Sequence, residues 1–189
     1  MKEKDKFLVK KNNKGYAVYA KVPFKKGDLI CVFKGKVSKA KDIKYTLPQF
    51  IEAVDLLQIS FEKLMKLDKP YLYFNHSCDP NSALTGVSSL IAIRNIKKGE
   101  EIVYDYSLTV AESFTCLCGA KNCRGAFYDS MALPKILLTR FYRMGALQDH
   151  VVKAFVEKNH GLCPCGSGKM YKTCGLKKSK QHELLVTKI

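Results

Sequence analysis

Short apolar runs recur through the first two thirds of the chain, each cut off by a turn carrying lysine or glycine. Phe7-Leu8-Val9, a basic turn at residues 10–14 and residues 15–20 read as a hairpin or meander. Residues 29–33, 89–93 and 102–106 read as further strands, with turns at Lys25-Lys26-Gly27-Asp28 and at residues 95–101. Strands about ten residues apart predict a mainly β body. Between Pro48 and Lys66 the period is not clean, and the apolar positions fit helical or irregular packing across an insertion. After Phe127 the pattern becomes helical. Residues 134–143, followed by Gly145 as a cap, predict one helix, and Val151, Val152, Phe155 and Val156 mark one face of a second. This pair is expected to pack on the β body as a spacer.

One stretch fits neither period. Tyr73-Phe74-Asn75-His76-Ser77-Cys78-Asp79-Pro80-Asn81 runs from an apolar approach into turn formers and potential ligands, and predicts a tightly held loop entered from a buried strand. An ordinary surface turn would read the same way in isolation. The cysteines change that reading. There are 8 in 189 residues, and the N-terminal residues lack the apolar region of a secretory signal, which favours metal over disulfides. Cys31 lies in an apolar run and reads as a buried thiol without a chemical role. No apolar run approaches membrane-spanning length, so no membrane partner is expected. A cytoplasmic location, or delivery into a host cell by a route not visible in the sequence, fits best.

Cys116-x-Cys118 and, four residues on, Cys123 supply three thiolates in a loop with Gly119, Lys121 and Asn122. A closed zinc site needs a fourth ligand, and Cys78 is the candidate, which would pin the 75–81 loop to the 116–123 segment. A second cluster, Cys163, Cys165 and Cys174, surrounds a glycine-rich turn and forms a small metal-knuckle pattern. His160 and His182 are both near enough in sequence to be its fourth ligand. Gly166-Ser167-Gly168-Lys169 lacks the spacer and preceding strand of a phosphate loop. The net charge of +16, carried mostly by lysine, attracts polyanions without showing that nucleic acid is the substrate.

Residues 75–81, then Gly99-Glu100-Glu101-Ile102-Val103-Tyr104-Asp105-Tyr106, then Cys116-Leu117-Cys118 through Cys123-Arg124-Gly125, resemble the hallmarks of SET-domain protein lysine methyltransferases with a post-SET cysteine segment. The likeness covers residues 5–128. Residues 129–158 then form the helical spacer, and residues 159–180 resemble a SEC-C zinc motif. The resemblance implies a SET-domain β fold with a pseudoknot, S-adenosylmethionine as methyl donor and a protein substrate bearing the target lysine, in keeping with a DNA- or RNA-associated basic protein. It implies zinc at Cys78, Cys116, Cys118 and Cys123. It implies cofactor contacts at residues 14–18 (Lys14, Gly15, Tyr16 and Ala17 among them), Asn75, His76 and Tyr106. Tyr106 takes the catalytic position, and Tyr104 the position that tunes the degree of methylation. Three departures are visible. Ala17 stands where the family has a second glycine, Tyr71-Leu72-Tyr73 fills the place of a polar anchor, and Gly175 follows Cys174 where a ligand is usual. The alternative is a zinc-stabilised binding module without turnover.

Overall fold

Alternation of apolar and polar side chains makes residues 7–20 a hairpin. β1 (Phe7–Asn12) and β2 (Gly15–Ala20) pair antiparallel, with Phe7 opposite Ala20 and Asn12 opposite Gly15. Gly15 turns the chain at φ +117°, a conformation that side chains resist. The fold is known from a computed structural model that describes residues 2–13, 15–42, 55–109, 114–127 and 129–174. Lys14, residues 43–54 and the basic stretch after Cys174 lie outside the described residues.

Two three-stranded antiparallel sheets form the rest of the β body. In one, β9 (Ser89–Ala92) lies between β3 (Leu29–Val32) and β8 (Ser82–Thr85). In the other, β6 (Lys63–Leu67) lies between β4 (Gly35–Lys39) and β5 (Leu56–Ser60). The second sheet corrects the helical or irregular reading of residues 55–66. Leu57, Met65 and Leu67 are buried while Lys63 and Lys66 are exposed, so the strand pattern is real but short and irregular, with a register shift between Gln58 and Ser60. The mainly β reading holds.

The crossing at the centre of the molecule is unusual. β7 (Asn75–His76) pairs parallel with β10 (Val103–Tyr104), although most of the other pairings are antiparallel. The Ser77 N–H donates to the Tyr104 carbonyl at 3.0 Å. Asn81, 1% exposed, donates through Nδ2 to the Glu101 carbonyl at 2.7 Å and accepts the Val103 N–H at 2.9 Å. On its other side the 99–102 segment bonds β2, with Ile102 N–H donating to the Val18 carbonyl at 2.8 Å. The segment is thus held between the hairpin and the 75–81 loop, in the manner of the expected pseudoknot. A buried amide side chain is costly unless satisfied, and here each bond that satisfies Asn81 also fixes the crossing.

β11 (Phe114–Thr115) and β12 (Ala126–Phe127) bracket the first cysteine loop. α1 (Lys135–Arg143) and α2 (Asp149–Lys158) follow, with Gly145 at φ +66° after α1, as its cap position predicts. The helices are more than a spacer. Phe141, Tyr142, Val152 and Phe155 share one apolar cluster with Cys163, Cys165, Tyr171 and Cys174, and that cluster reaches Ala83 and Leu108 of the β body. Gln148, fully buried, reinforces the joint by donating to the carbonyls of Gln58 at 3.1 Å and Val87 at 2.5 Å. None of the helices among the described residues is long and apolar enough to cross a membrane.

Candidate active site and metal centre

The crossing opens on a cleft of about 540 Å³, within the usual range for a small-molecule site. Asn75, His76, Ser77, Val103, Tyr106, Leu117, Cys118 and Phe127 line it, together with Asp55, Glu100, Glu101 and Arg94. Three carboxylates against one guanidinium favour a cationic occupant. Arg94 is moreover committed to Glu100, at 2.7 Å. Burial alone would raise the Glu100 carboxyl, but the Lys97 N–H, Asn81 and Arg94 outweigh it and hold it below the usual carboxylate value.

The side chain of Asn75 is used to fix the walls. Its Nδ2 donates to the Tyr16 carbonyl at 3.2 Å and to Glu101 Oε1 at 2.9 Å, tying β2 and the 99–102 segment to β7. Tyr16 itself is half exposed and stacks on Tyr73, with ring centroids 4.9 Å apart. Ala17 is fully buried and its φ is not positive, so the methyl that departs from the family pattern sits without backbone strain. Gly15, Tyr16 and Ala17 are not among the residues lining the cleft, which Tyr16 meets only through Asn75.

Tyr106 begins a 3-10 turn (Tyr106–Leu108) directly after the strand, and its ring lies between His76 at 5.3 Å, Tyr104 at 4.9 Å and Phe127 at 5.5 Å. The hydroxyl donates to the Phe74 carbonyl at 2.8 Å. Burial raises the phenol well above its ordinary pKa, and the charges of Asp55 and Glu101 add to this, so it stays protonated at neutral pH. Tyr104 is buried behind it, next to Phe33 at 5.8 Å, and is raised by burial and by Tyr106. The structure brings the two rings together but places only Tyr106 on the cleft surface.

The first cysteine cluster comes together as its spacing predicts. Cys116 Sγ lies 3.7 Å from Cys78 Sγ and 3.6 Å from Cys123 Sγ, while Cys118 Sγ accepts the Cys78 N–H at 3.5 Å. A zinc tetrahedron with bonds of about 2.3 Å has sulfur–sulfur edges of about 3.8 Å, whereas a disulfide needs about 2.05 Å. The observed spacing fits the metal. Backbone N–H groups of Ala120, Arg124 and Gly125 also point at sulfurs, which suits thiolates. Burial opposes ionisation of Cys118, but the N–H groups of Cys78 and Ala120 bring it down to about 7.

Donor atoms of His76, Cys78, Cys116 and Cys118 all lie within 4.8 Å of one another, so the imidazole competes with Cys123 as fourth ligand. The hydrogen bonding of the ring favours Cys123. His76 Nδ1 accepts the Tyr106 N–H at 3.1 Å, which leaves the proton on Nε2, 3.4 Å from Cys78 Sγ. Nε2 can then donate to the thiolate but cannot bind metal. Burial lowers the imidazole pKa, so the ring is neutral and its 3.7 Å approach to Asp105 is not an ion pair.

Asp105 is the polar centre that the cysteine spacing does not reveal. It is fully buried, and Oδ1 accepts from Arg124 Nη2 at 2.7 Å and from the Ser107 N–H at 3.1 Å. Arg124 also donates to Ser107 Oγ at 3.0 Å, and its backbone N–H donates to Cys78 Sγ. The metal loop is therefore bonded to the residues on both sides of Tyr106. Phe127, whose ring closes the cleft against His76 at 5.0 Å, was also not foreseen; its placement just after Cys123-Arg124-Gly125 was the available signal.

In the C-terminal cluster, Cys163, Cys165 and Cys174 are buried with all three sulfurs within 4.8 Å of one another. Cys165 and Cys174 are 3.5 Å apart, and Ser167 Oγ lies 3.1 Å from Cys165 Sγ. His160 is exposed at φ +51° and is not part of the group, and His182 lies outside the described residues. The isolated Cys31 is buried, and burial pushes its thiol far above the ordinary value, in keeping with a packing role.

Residues 15–107 match the SET domain. The chain is 30% identical to a variant-silencing SET domain-containing protein of Plasmodium falciparum, over 64% of this chain and 6% of that protein. It is 31% identical to the histone-lysine N-methyltransferase mes-4 of Caenorhabditis elegans, over 59% of this chain and 15% of the relative. The chain thus spans only a small part of these relatives' length. Among solved structures, that of KRYPTONITE with mCHG DNA and SAH superposes with a TM-score of 0.50 and 25% identity, covering 65% of this chain and 29% of KRYPTONITE.

Proposed function

We propose that this chain, a SET-domain protein related to histone-lysine methyltransferases, transfers a methyl group to the side-chain amine of lysine in a protein. The observation that carries the reading is Tyr106: a buried, protonated phenol on the floor of an acidic cleft, between the Asn75-His76 loop and Phe127. Asn75 and His76 would hold S-adenosylmethionine, which would supply the methyl as an electrophile on a sulfonium. Asp55 and Glu101 favour the cationic charge of that group.

The chain's own residues do the rest. The aromatic walls of Tyr106 and Phe127, backed by Tyr104, attract a lysine ammonium, and their low polarity then favours loss of its proton. Because the Tyr106 hydroxyl donates its proton to the Phe74 carbonyl, the phenol oxygen is left as an acceptor that can orient the amine. These residues would hold the neutral amine in line with a methyl donor, so that its nitrogen could take the methyl as the donor's carbon–sulfur bond broke, and the amine's excess proton would go to solvent. Cys78, Cys116, Cys118 and Cys123 would hold zinc, which would clamp the 75–81 loop to the post-SET segment. A second zinc at Cys163, Cys165 and Cys174, in a SEC-C-like module, would consolidate the C-terminal cluster.

The substrate class consistent with the charge is a basic, nucleic-acid-associated protein. The test is incorporation of labelled methyl from S-adenosylmethionine into candidate protein mixtures, followed by mass-spectrometric mapping of methylated lysines. Incorporation that disappears in Tyr106→Phe supports the reading. Cofactor binding without any incorporation would leave a zinc-stabilised binding module instead.

A further inference from the structure

The β4–β6 pair carries a feature that neither the cleft nor the metal centre uses. Lys36 is directly opposite Lys66, and Lys39 directly opposite Lys63. Opposed like charges on antiparallel strands destabilise the sheet. All four side chains are exposed, and no ion pair involves them among the described residues. Lysine on an edge strand commonly serves to prevent edge-to-edge association. That explains Lys36 and Lys39, because β4 is one of the two edge strands among the described residues, but not Lys63 and Lys66 on the central strand β6.

The pairs are three positions apart along β4, so their side chains leave opposite faces of the sheet and flank its open edge. Phe61, the exposed aromatic beside Lys63, is turned to His150 with ring centroids 6.0 Å apart, and so is not a free stacking platform for unpaired bases. A surface with lysines on both sides of an edge, and without a stacking platform, suits a continuous phosphate backbone. We infer that the β4 edge, through Lys36, Lys39, Lys63 and Lys66, docks on the backbone of duplex DNA without reading its sequence.

Methyl transfer plays no part in this inference, and the test needs none. Fluorescence anisotropy would follow binding of the full chain to two unrelated duplexes of about 20 base pairs over a range of salt concentrations. Both duplexes should bind alike, with affinity falling steeply with salt. Changing all four lysines to Gln should flatten the slope of log K against log salt by up to about 3.6, at about 0.9 for each phosphate no longer neutralised. The same four positions as Arg should keep the slope. A control with Lys97, Lys98, Lys153 and Lys158 changed to Gln carries the same net charge and should bind almost as the parent does. Without DNA, the β4–β6 glutamine variant should melt at or above the parent temperature, since it loses only repulsion. Equal weakening by the control would mean generic attraction and overturn the inference. So would tighter binding to single strands, or an unchanged slope in the β4–β6 variant.

Discussion

Replacing Arg124 with Met tests whether the 116–124 cysteine loop is energetically tied to Tyr106, the proposed catalytic residue. The change removes the guanidinium that bonds Asp105 Oδ1 at 2.7 Å and leaves the backbone N–H to Cys78 in place. Asp105 is fully buried and retains only the Ser107 N–H on that oxygen, while Arg124 is 16% exposed at its side chain. Breaking a buried pair from one side costs about 3–5 kcal/mol. The partial exposure of Arg124 puts the expectation at the low end, about 3 kcal/mol. For a chain of this size that is a drop of about 6–12 °C in melting temperature.

The assay is thermal and urea unfolding at saturating zinc, for Arg124→Met, Asp105→Asn and the double variant. In the double variant the stranded charge is gone, so it should be more stable than Arg124→Met alone. The coupling energy should be about 2 kcal/mol or more. The methyl-transfer rate of Arg124→Met should fall more than its cofactor affinity, because Asp105 immediately precedes Tyr106. A loss below about 1 kcal/mol, or losses that simply add in the double variant, would refute the coupling.

Tyr106→Phe should lose about 3 kcal/mol of transition-state stabilisation, more than a hundredfold in rate, while calorimetric cofactor affinity moves much less. A parent rate would withdraw the assignment, and lost cofactor binding with the fold intact would make Tyr106 a pocket residue. Tyr104→Phe should raise the share of di- and trimethyl-lysine seen by mass spectrometry, because it removes a hydroxyl beside the Tyr106 ring; an unchanged product distribution would show that this hydroxyl does not face the substrate. Elemental analysis of Cys78→Ala should find one zinc fewer per chain, and full occupancy would rule out the shared site. Since burial holds Tyr106 protonated well beyond the ordinary phenol range, the rate should climb with pH as lysine loses its proton, with no falling limb below about pH 10. A falling limb that vanishes in Tyr106→Phe would contradict that protonation state.

The hairpin, the strands β3 and β9 and both helices were legible because each is a local pattern closed by its own turn or cap. Residues 56–67 were not, since β5 and β6 show no clean alternation: neighbouring Leu64 and Met65 are both buried, the register shifts between Gln58 and Ser60, and their lysines break the apolar period. The four thiolates of the first cluster could be assembled from spacing because zinc chemistry demands a fourth ligand, and Cys78 was the unpaired candidate. The role of His76 was not legible, because it depends on which ring nitrogen accepts the Tyr106 N–H. Asp105 and Arg124 were hidden for a similar reason: an isolated acid and an isolated base, 19 residues apart, carry no periodic signal until the crossing brings them within 2.7 Å.

That crossing explains why the first cysteine cluster and the cleft lie on adjacent segments. β7 and β10 meet over only two residue pairs, too short a ladder to be stable alone. The bonds of Asn81 hold one end of it. At the other end, Cys78 and Arg124 draw the 116–124 cysteine loop down, and Arg124 passes that constraint to Asp105. Tyr106 sits between those anchors, and its own N–H is held by His76, whose other nitrogen faces Cys78. Loss of the metal should thus act on this tyrosine from both neighbours together. Removing zinc with a chelator should lower turnover before it unfolds the β1–β2 hairpin, which is closed by its own six-pair ladder.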